Sequence, residues 1–253
     1  MLRVDAPRPA QLSILSAVRR YWRDRAAQVD PVSATREVLV ITWEFLRDST
    51  PAGQRQRYGD ADYDWDYRVN TTSGAVGWRD RLLGAFHSAY QPTEPGLFRE
   101  MLEALQQHTD LTFGDFTFLD LGSGKGRTLL MACDYPFRRI LGVELLPSLD
   151  EIAKHNISLF KSDSQKSFAL ESICADATTF PFPDGPLVIY LFNPFPEAGL
   201  RRALENLRES LARSPRAAYV LYHNPQLEQI FVESAHFEKI TGTHQYSIFR
   251  AVI

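Results

Sequence analysis

The segment Phe118-Leu-Asp-Leu-Gly-Ser-Gly-Lys-Gly126 concentrates the chemistry of this chain. An apolar run ends in Asp120, and Gly122, Ser123, Gly124 and Gly126 follow at once. Glycine has no Cβ and tolerates positive φ, so such a turn is expected to set bare backbone N–H groups against a ligand. A second apolar run, Ile140-Leu-Gly-Val-Glu144-Leu145, ends in another carboxylate, and Cys174-Ala-Asp176-Ala177 ends a third. At the end of the second strand an acidic residue can take both hydroxyls of a ribose, a bond worth roughly 1.5–3 kcal/mol. At the end of the third, Asp176 can accept from an adenine amino group.

Three nucleotide-binding patterns compete for the glycine turn. A phosphate-binding P-loop needs Gly-Lys-[Ser/Thr] and an upstream glycine. Here Gly126 follows Lys125 and Leu119 holds the upstream place, so that pattern fails. A dinucleotide fingerprint needs its third glycine where Arg127 stands, which weakens a NAD-dependent oxidoreductase but keeps it as an alternative class. The third pattern is D-x-G-x-G-x-G, in which the carboxylate of Asp120 faces a cationic ligand. S-adenosylmethionine, with its sulfonium and α-amino group, is such a ligand. A cofactor-binding protein without turnover is the remaining class.

The elements that must position these residues are legible from periodicity. Short apolar runs alternate with helical spacing from about Phe116 onward, which predicts βαβ units and a mostly parallel sheet. Strands are expected at Phe116–Leu121, Ile140–Leu145, Phe168–Cys174, Leu187–Phe192 and Ala217–Tyr222. Leu149, Ala153, Ile157 and Phe160 mark one helix, with Ser148 and Glu151 as its capping box. Leu200, Leu204, Leu207 and Leu211 mark another, stopped before Pro215, and the end of the chain reads as a β-hairpin turning near Gly242.

Residues 1–110 are expected to form a helical N-terminal region with a lid segment, and residues 111–253 the cofactor-binding domain. Leu12, Leu15, Val18, Trp22 and Ala26 trace an amphipathic helix, and Asp30-Pro31 reads as the cap and first turn of the next. Val38–Leu46 is apolar nearly all round and stays open between helix and strand. Leu97, Phe98, Met101, Leu102 and Leu105 give a helix just before the glycine strand. The stretch between, Tyr58 to Pro95, has little periodicity. Its Tyr58, Tyr63, Trp65, Tyr67 and Trp78, with Asp60, Asp62, Asp64 and Asp66, could cover a cationic or planar substrate or pack under a long loop.

Bulk properties exclude several classes. The 253 residues are 44% hydrophobic and 23% charged with a net charge of −3, ordinary for a globular protein and without a case for nonspecific nucleic-acid binding. No apolar stretch approaches the ~20 residues a bilayer needs. Cys133 and Cys174 read as buried thiols in a reducing compartment, and no Cys/His spacing suggests a metal. A cytoplasmic protein acting on a small-molecule or protein substrate, with neither nucleic acid nor membrane, is expected.

From about Tyr90 onward the chain resembles the class I S-adenosylmethionine-dependent methyltransferases, an α/β Rossmann-like fold. More narrowly, Asp-Leu-Gly-Ser-Gly-Lys-Gly-Arg followed by Gly-Val-Glu-Leu resembles the bacterial relatives of the non-SET histone-lysine methyltransferases. The resemblance implies that Asp120, Gly122 and Gly124 cradle the methionine part, with Ser123 and Gly126 completing the turn. It implies that Glu144 and Leu145 hold the ribose, that Asp176 and Ala177 border the adenine, and that Tyr90-Gln-Pro-Thr93 adds a wall. The eukaryotic enzymes carry a basic nucleosome-binding extension; no such segment stands in this sequence, so histones are not expected as substrate.

Leu191-Phe-Asn193-Pro-Phe-Pro196 falls where such enzymes place substrate-facing residues. It is similar to the [Asn/Asp]-Pro-Pro-aromatic motif of amino-methyltransferases, with Phe195 one residue early and Pro196 in the aromatic's place. Asn193, Pro194 and Phe195 are thereby candidates for the acceptor side, and Asn193 borders the cofactor as well. Pro194 and Pro196 also suit the start of a helix. Tyr90 and His223 complete the candidates, His223 as a general base. The implied reaction is methyl transfer to a nitrogen of a protein lysine or a small-molecule amine, with a small-molecule O-methyltransferase as the alternative.

Overall fold

A computed structural model describes residues 13–48, 61–72, 82 and 92–252. The chain divides into two compact units, Pro9–Pro92 and one that contains Thr93–Ile253. The division falls at Thr93, ahead of the helix that the sequence reading assigns to the N-terminal region.

In the first unit, α1 (Ile14–Ala26) and α2 (Pro31–Asp48) pack against each other. Asp30 caps α2 as expected, its Oδ1 accepting from Val32 N at 2.9 Å and Ser33 N at 3.0 Å. The Val38–Leu46 segment is helical, part of α2. The pair is joined by polar contacts: Arg25 bridges Glu37 at 2.6 Å, and Trp22 Nε1 donates to Thr35 Oγ1 at 3.0 Å. The apolar face expected on α1 is not the buried one, since Leu15 is 81% exposed while Ala17 is buried. Residues 61–67, expected as irregular, form α3 (Ala61–Tyr67). Its Tyr63 and Tyr67 rings meet one turn apart at 4.8 Å. Asp64 accepts from the N–H groups of Thr71 and Thr72 and from the Thr71 hydroxyl, which fixes the chain leaving the helix. Tyr58, Asp60 and Trp78 of the expected lid lie outside the described residues.

The second unit is built on a seven-stranded sheet of β1 (Thr117–Leu121), β2 (Arg139–Glu144), β3 (Leu170–Cys174), β4 (Leu187–Leu191), β5 (Ala218–His223), β6 (Phe237–Gly242) and β7 (Tyr246–Ala251). Their order is β3-β2-β1-β4-β5-β7-β6. The first five run parallel, and β7 enters antiparallel between β5 and β6. This is the expected class I sheet with its C-terminal hairpin. β1, at the point where the order reverses, is the position at which open α/β sheets bind ligands.

Both faces are covered, so the central strands β1 and β4 are buried throughout. On one face α4 (Pro95–Gln107) buries Leu97, Phe98, Met101, Leu102 and Leu105, and Phe98 meets the rings of Phe118 and Tyr190 edge-on. On the other, Leu119, Leu121, Ile189, Leu191 and Val220 pack with Leu200, Leu207 and Leu211 of α7 (Glu197–Arg213) and with Ile230 and Phe231 of α8 (Gln229–Val232). α5 (Arg127–Ala132) follows the glycine turn, and α6 (Pro147–Leu159) follows β2. The expected Ser148–Glu151 capping box is absent. Pro147 opens the helix after Leu146, which places Ser148 inside the first turn rather than at the cap.

Candidate functional site

The glycine turn leaves β1 through Gly122, Gly124 and Gly126, with φ of 90°, 53° and 81°. These are left-handed values that side chains avoid, which is why three glycines are needed. The turn is internally tied. Gly122 N and Ser123 N both donate to Val143 O, at 2.8 and 3.2 Å, and Gly126 N donates to Ser123 O at 2.8 Å. Gly124 N donates to Glu144 Oε2 at 2.8 Å.

The expectation of bare N–H groups is therefore corrected. Four of the turn's donors are spent on β2 and on the turn itself, so it cannot cradle a phosphate as a P-loop does. What it offers instead is close approach and negative charge. Asp120, 3% exposed, is the penultimate residue of β1 and accepts from the Thr128 hydroxyl. Glu144, 7% exposed, ends β2 and accepts from Leu146 N at 2.8 Å through its second oxygen. Each carboxylate oxygen keeps a further lone pair, so ribose hydroxyls can still bond to Glu144.

Burial pushes both carboxyls up to about 7. For Asp120 the Thr128 hydroxyl opposes that shift and the Glu144 charge adds to it; for Glu144 the N–H groups of Leu146 and Gly124 oppose it. A cation placed between them would offset the cost of keeping both ionised. Asp176 follows β3 and Ala177 is buried beside it. Asp176 Oδ1 accepts from Thr178 N at 2.9 Å and its hydroxyl at 2.7 Å, which fixes the carboxylate in a turn. The three carboxylates thus stand at the C-terminal edges of β1, β2 and β3, adjacent strands in the sheet.

These residues fit S-adenosylmethionine. The strand ends present accepting carboxylates rather than N–H groups, and Ser123 Oγ is buried without a hydrogen-bond partner within the turn itself. A dinucleotide fits less well. The place of its third glycine is held by Arg127, which is 2% exposed at the first position of α5.

The acceptor side is assembled by β4 and β5. Asn193 follows β4 with φ 45°, and its side chain is held at both ends. Tyr222 Oη donates to Asn193 Oδ1 at 2.9 Å, and Asn193 Nδ2 donates to Asn224 O at 2.7 Å. Pro194 packs against Gly122, and Pro196 is the N-cap of α7, so the helix-start reading of that proline holds. Phe195 is half-buried against the core beneath α7. His223 ends β5, stacked on Phe192. Thr93, buried, precedes α4, while Leu145 is half-buried after Glu144. Tyr90 lies outside the described residues.

Sequence reasoning missed Thr128, Tyr190, Tyr222 and Gly142. A Cβ on Gly142 would lie 2.5 Å from Ser123 Oγ, so this glycine lets the turn settle on β2. A glycine inside a strand was the available signal.

Among the described residues no helix is long and apolar enough to cross a membrane. Solved structures with similar folds include an RNA methyltransferase from Salinibacter ruber in complex with S-adenosylhomocysteine, 19% identical, covering 64% of this chain and 92% of that one with a TM-score of 0.37. The glycopeptide N-methyltransferase MtfA is 14% identical, covering 62% and 90% with a TM-score of 0.46. The methyltransferase domain of a bacterial Hen1 (CtHen1-CN) is 16% identical, covering 63% and 100% with a TM-score of 0.45. Curated proteins yield no match. Residues 119–193, from β1 through Asn193, match the family model of a methyltransferase domain. That match lies on the strands that carry the three carboxylates, so the chain holds an S-adenosylmethionine-dependent methyltransferase domain of class I fold.

Proposed function

We propose that the chain transfers the methyl group to a nitrogen of a small-molecule amine or a protein side chain. The observation that carries this reading is the fixed amide of Asn193 beside the glycine turn. Its Oδ1 accepts one bond from Tyr222 and keeps a second lone pair for an acceptor N–H. Pro194 against Gly122 keeps that amide next to the cofactor turn.

When bound, the cofactor supplies a methyl carbon already activated by a sulfonium. The residues of this chain then have to align the acceptor, a contribution that can reach ~7–11 kcal/mol. Glu144 and Asp176 are assigned the ribose and the adenine, Asp120 and the turn the methionine part, with Ser123, Leu145, Ala177 and Thr93 bordering it. Asn193, Pro194 and Phe195 are assigned the acceptor side. Residues 1–110 are assigned to a helical N-terminal region with a lid segment, and residues 111–253 to the cofactor domain. The finer kinship, to relatives of the non-SET lysine methyltransferases, rests on the run Asp120–Arg127 and on Gly142–Leu145.

The test is incubation of the protein with methyl-labelled cofactor and a fractionated cell extract. Acid-stable label in an amine or lysine fraction supports the reading. Label that is recovered only as an O-methyl ether or ester, or only in RNA, would overturn the nitrogen assignment while leaving the enzyme class intact.

A further inference from the structure

A buried polar chain runs from Thr93 through Tyr190 to His223. Thr93 immediately precedes the N-cap of α4, Tyr190 lies within β4, and His223 ends β5; they are 3%, 1% and 8% exposed. Thr93 Oγ1 lies 2.8 Å from Tyr190 Oη, which lies 2.7 Å from His223 Nδ1. Phe192 stacks on the imidazole at 3.8 Å and 27°, which fixes the plane of the ring.

Two hydrogen bonds link three groups, and their protons can be placed by accounting. The Thr93 hydroxyl makes no other hydrogen bond among the described residues, so its proton goes to Tyr190 Oη. The single Tyr190 proton then goes to His223 Nδ1. An imidazole that accepts at Nδ1 and is neutral carries its proton on Nε2. The opposite order would leave the proton of a buried hydroxyl without an acceptor, which native structures avoid. Burial also lowers His223 to about 4, against a smaller opposing pull from Glu94, so the ring is neutral near pH 7.

Nε2 itself makes no hydrogen bond among the described residues. The imidazole stacks on Phe192, the residue immediately before Asn193, so it borders the acceptor side at the C-terminal edge of the sheet. Neighbouring strands lie about 4.8 Å apart, which puts the end of β5 two strands, or roughly 10 Å, from the end of β1.

We propose that His223 presents a fixed Nε2–H donor to the substrate, where it binds a carbonyl or carboxylate oxygen beside the methylated atom. Tyr190 and Thr93 are the positioning residues that select this tautomer. The general-base role expected of His223 is thereby replaced, because an Nε2 that carries a proton donates rather than accepts. The inference rests on the acceptor side assigned under Proposed function.

Isotope-edited NMR of the histidine ring in the full chain, saturated with S-adenosylhomocysteine, tests it, with sodium acetate as the oxygen probe. Nδ1 should be unprotonated and Nε2 protonated near neutral pH, and acetate should move the Nε2–H resonance saturably. Tyr190→Phe should mix the tautomers and let the ring titrate at higher pH; if that variant does not fold, Thr93→Val should also mix the tautomers. A protonated Nδ1 in the wild type, an indifferent Nε2–H, or an unchanged ring in the folded variant would each overturn the proposal. Failure of S-adenosylhomocysteine to bind would instead strike the methyl-donor reading, since the tautomer can be read in the free protein.

Discussion

Pro194 lies so close to Gly122 that a Cβ on the glycine would stand 2.5 Å from the proline Cβ. The acceptor-side turn after β4 and the cofactor turn after β1 are thus one packed unit, not two neighbouring loops. Gly122 also has φ 90°, so Gly122→Ala adds backbone strain to the clash. The variant should lose about 1–3 kcal/mol of stability and most of its affinity for S-adenosylhomocysteine. Urea unfolding and calorimetry measure the two effects; retained affinity would separate the turns.

Glu144 both anchors the turn and is assigned the ribose. Glu144→Ala should weaken S-adenosylmethionine binding roughly tenfold to a hundredfold. It should also destabilise the protein, because Gly124 N and Leu146 N lose their acceptor. Calorimetry on Glu144→Ala beside Glu144→Gln separates the effects, since the amide can still accept one N–H. Unchanged affinity in both would remove Glu144 from the ribose.

Cofactor binding should depend on pH near neutrality. Asp120 and Glu144 sit at about 7 in the free protein, and a cationic ligand lowers both. Protons are then released on binding, so affinity for S-adenosylmethionine rises between about pH 6 and 8. S-adenosylhomocysteine, whose sulfur is uncharged, should give a shallower rise. Titration calorimetry in buffers of different ionisation enthalpy counts the protons, and a flat profile for both ligands would contradict the assigned site.

His223 should make the fold sensitive to acid. Its pKa is lowered from 6.5 to about 4, so the unfolded chain binds the proton more tightly. The stability this contributes is present above the unfolded value and is lost as pH falls through the folded one. Over that window it amounts to roughly 3 kcal/mol. Denaturation of wild type and His223→Gln should diverge between neutrality and about pH 4, with the variant losing less. Parallel curves would mean that the imidazole is not buried as described.

Tyr222 should matter to turnover but not to the cofactor. Tyr222→Phe removes the hydroxyl that donates to Asn193 Oδ1, freeing the amide while leaving β1 and β2 untouched. Methyl transfer into the extract fraction found active should fall roughly tenfold, the scale of a slightly misplaced group. Affinity for S-adenosylhomocysteine, read by thermal shift, should stay level. A parallel loss of both would mean that Tyr222 supports the whole site.

The positions of the strands, the glycine turn and the three strand-end carboxylates were legible in the chain because each leaves a local mark. Buried parallel strands read as short apolar runs, positive φ demands glycine, and the acidic residues stand at run ends. The hairpin near Gly242 and the five apolar positions of α4 were legible for the same reason. Helix α3 was not, because it has no apolar period, and Asp64 is tied to Thr71 and Thr72 beyond its end. Nor was the capping of α6, where Pro147 takes the first position ahead of Ser148.

By itself, then, the sequence determined the methyl donor: Asp120, Arg127 in place of a third dinucleotide glycine, Glu144 and Asp176 depend only on residue type and strand end. Tertiary structure decided how those residues work. Val143 and Glu144 consume the N–H groups that glycine spacing alone would offer to a phosphate. Pro194 closes on Gly122, Thr93 reaches Tyr190, and Tyr190 reaches His223. These are contacts between residues far apart in the chain. No local period encodes them, because the partner of a buried polar group is chosen by packing in space rather than by spacing in sequence.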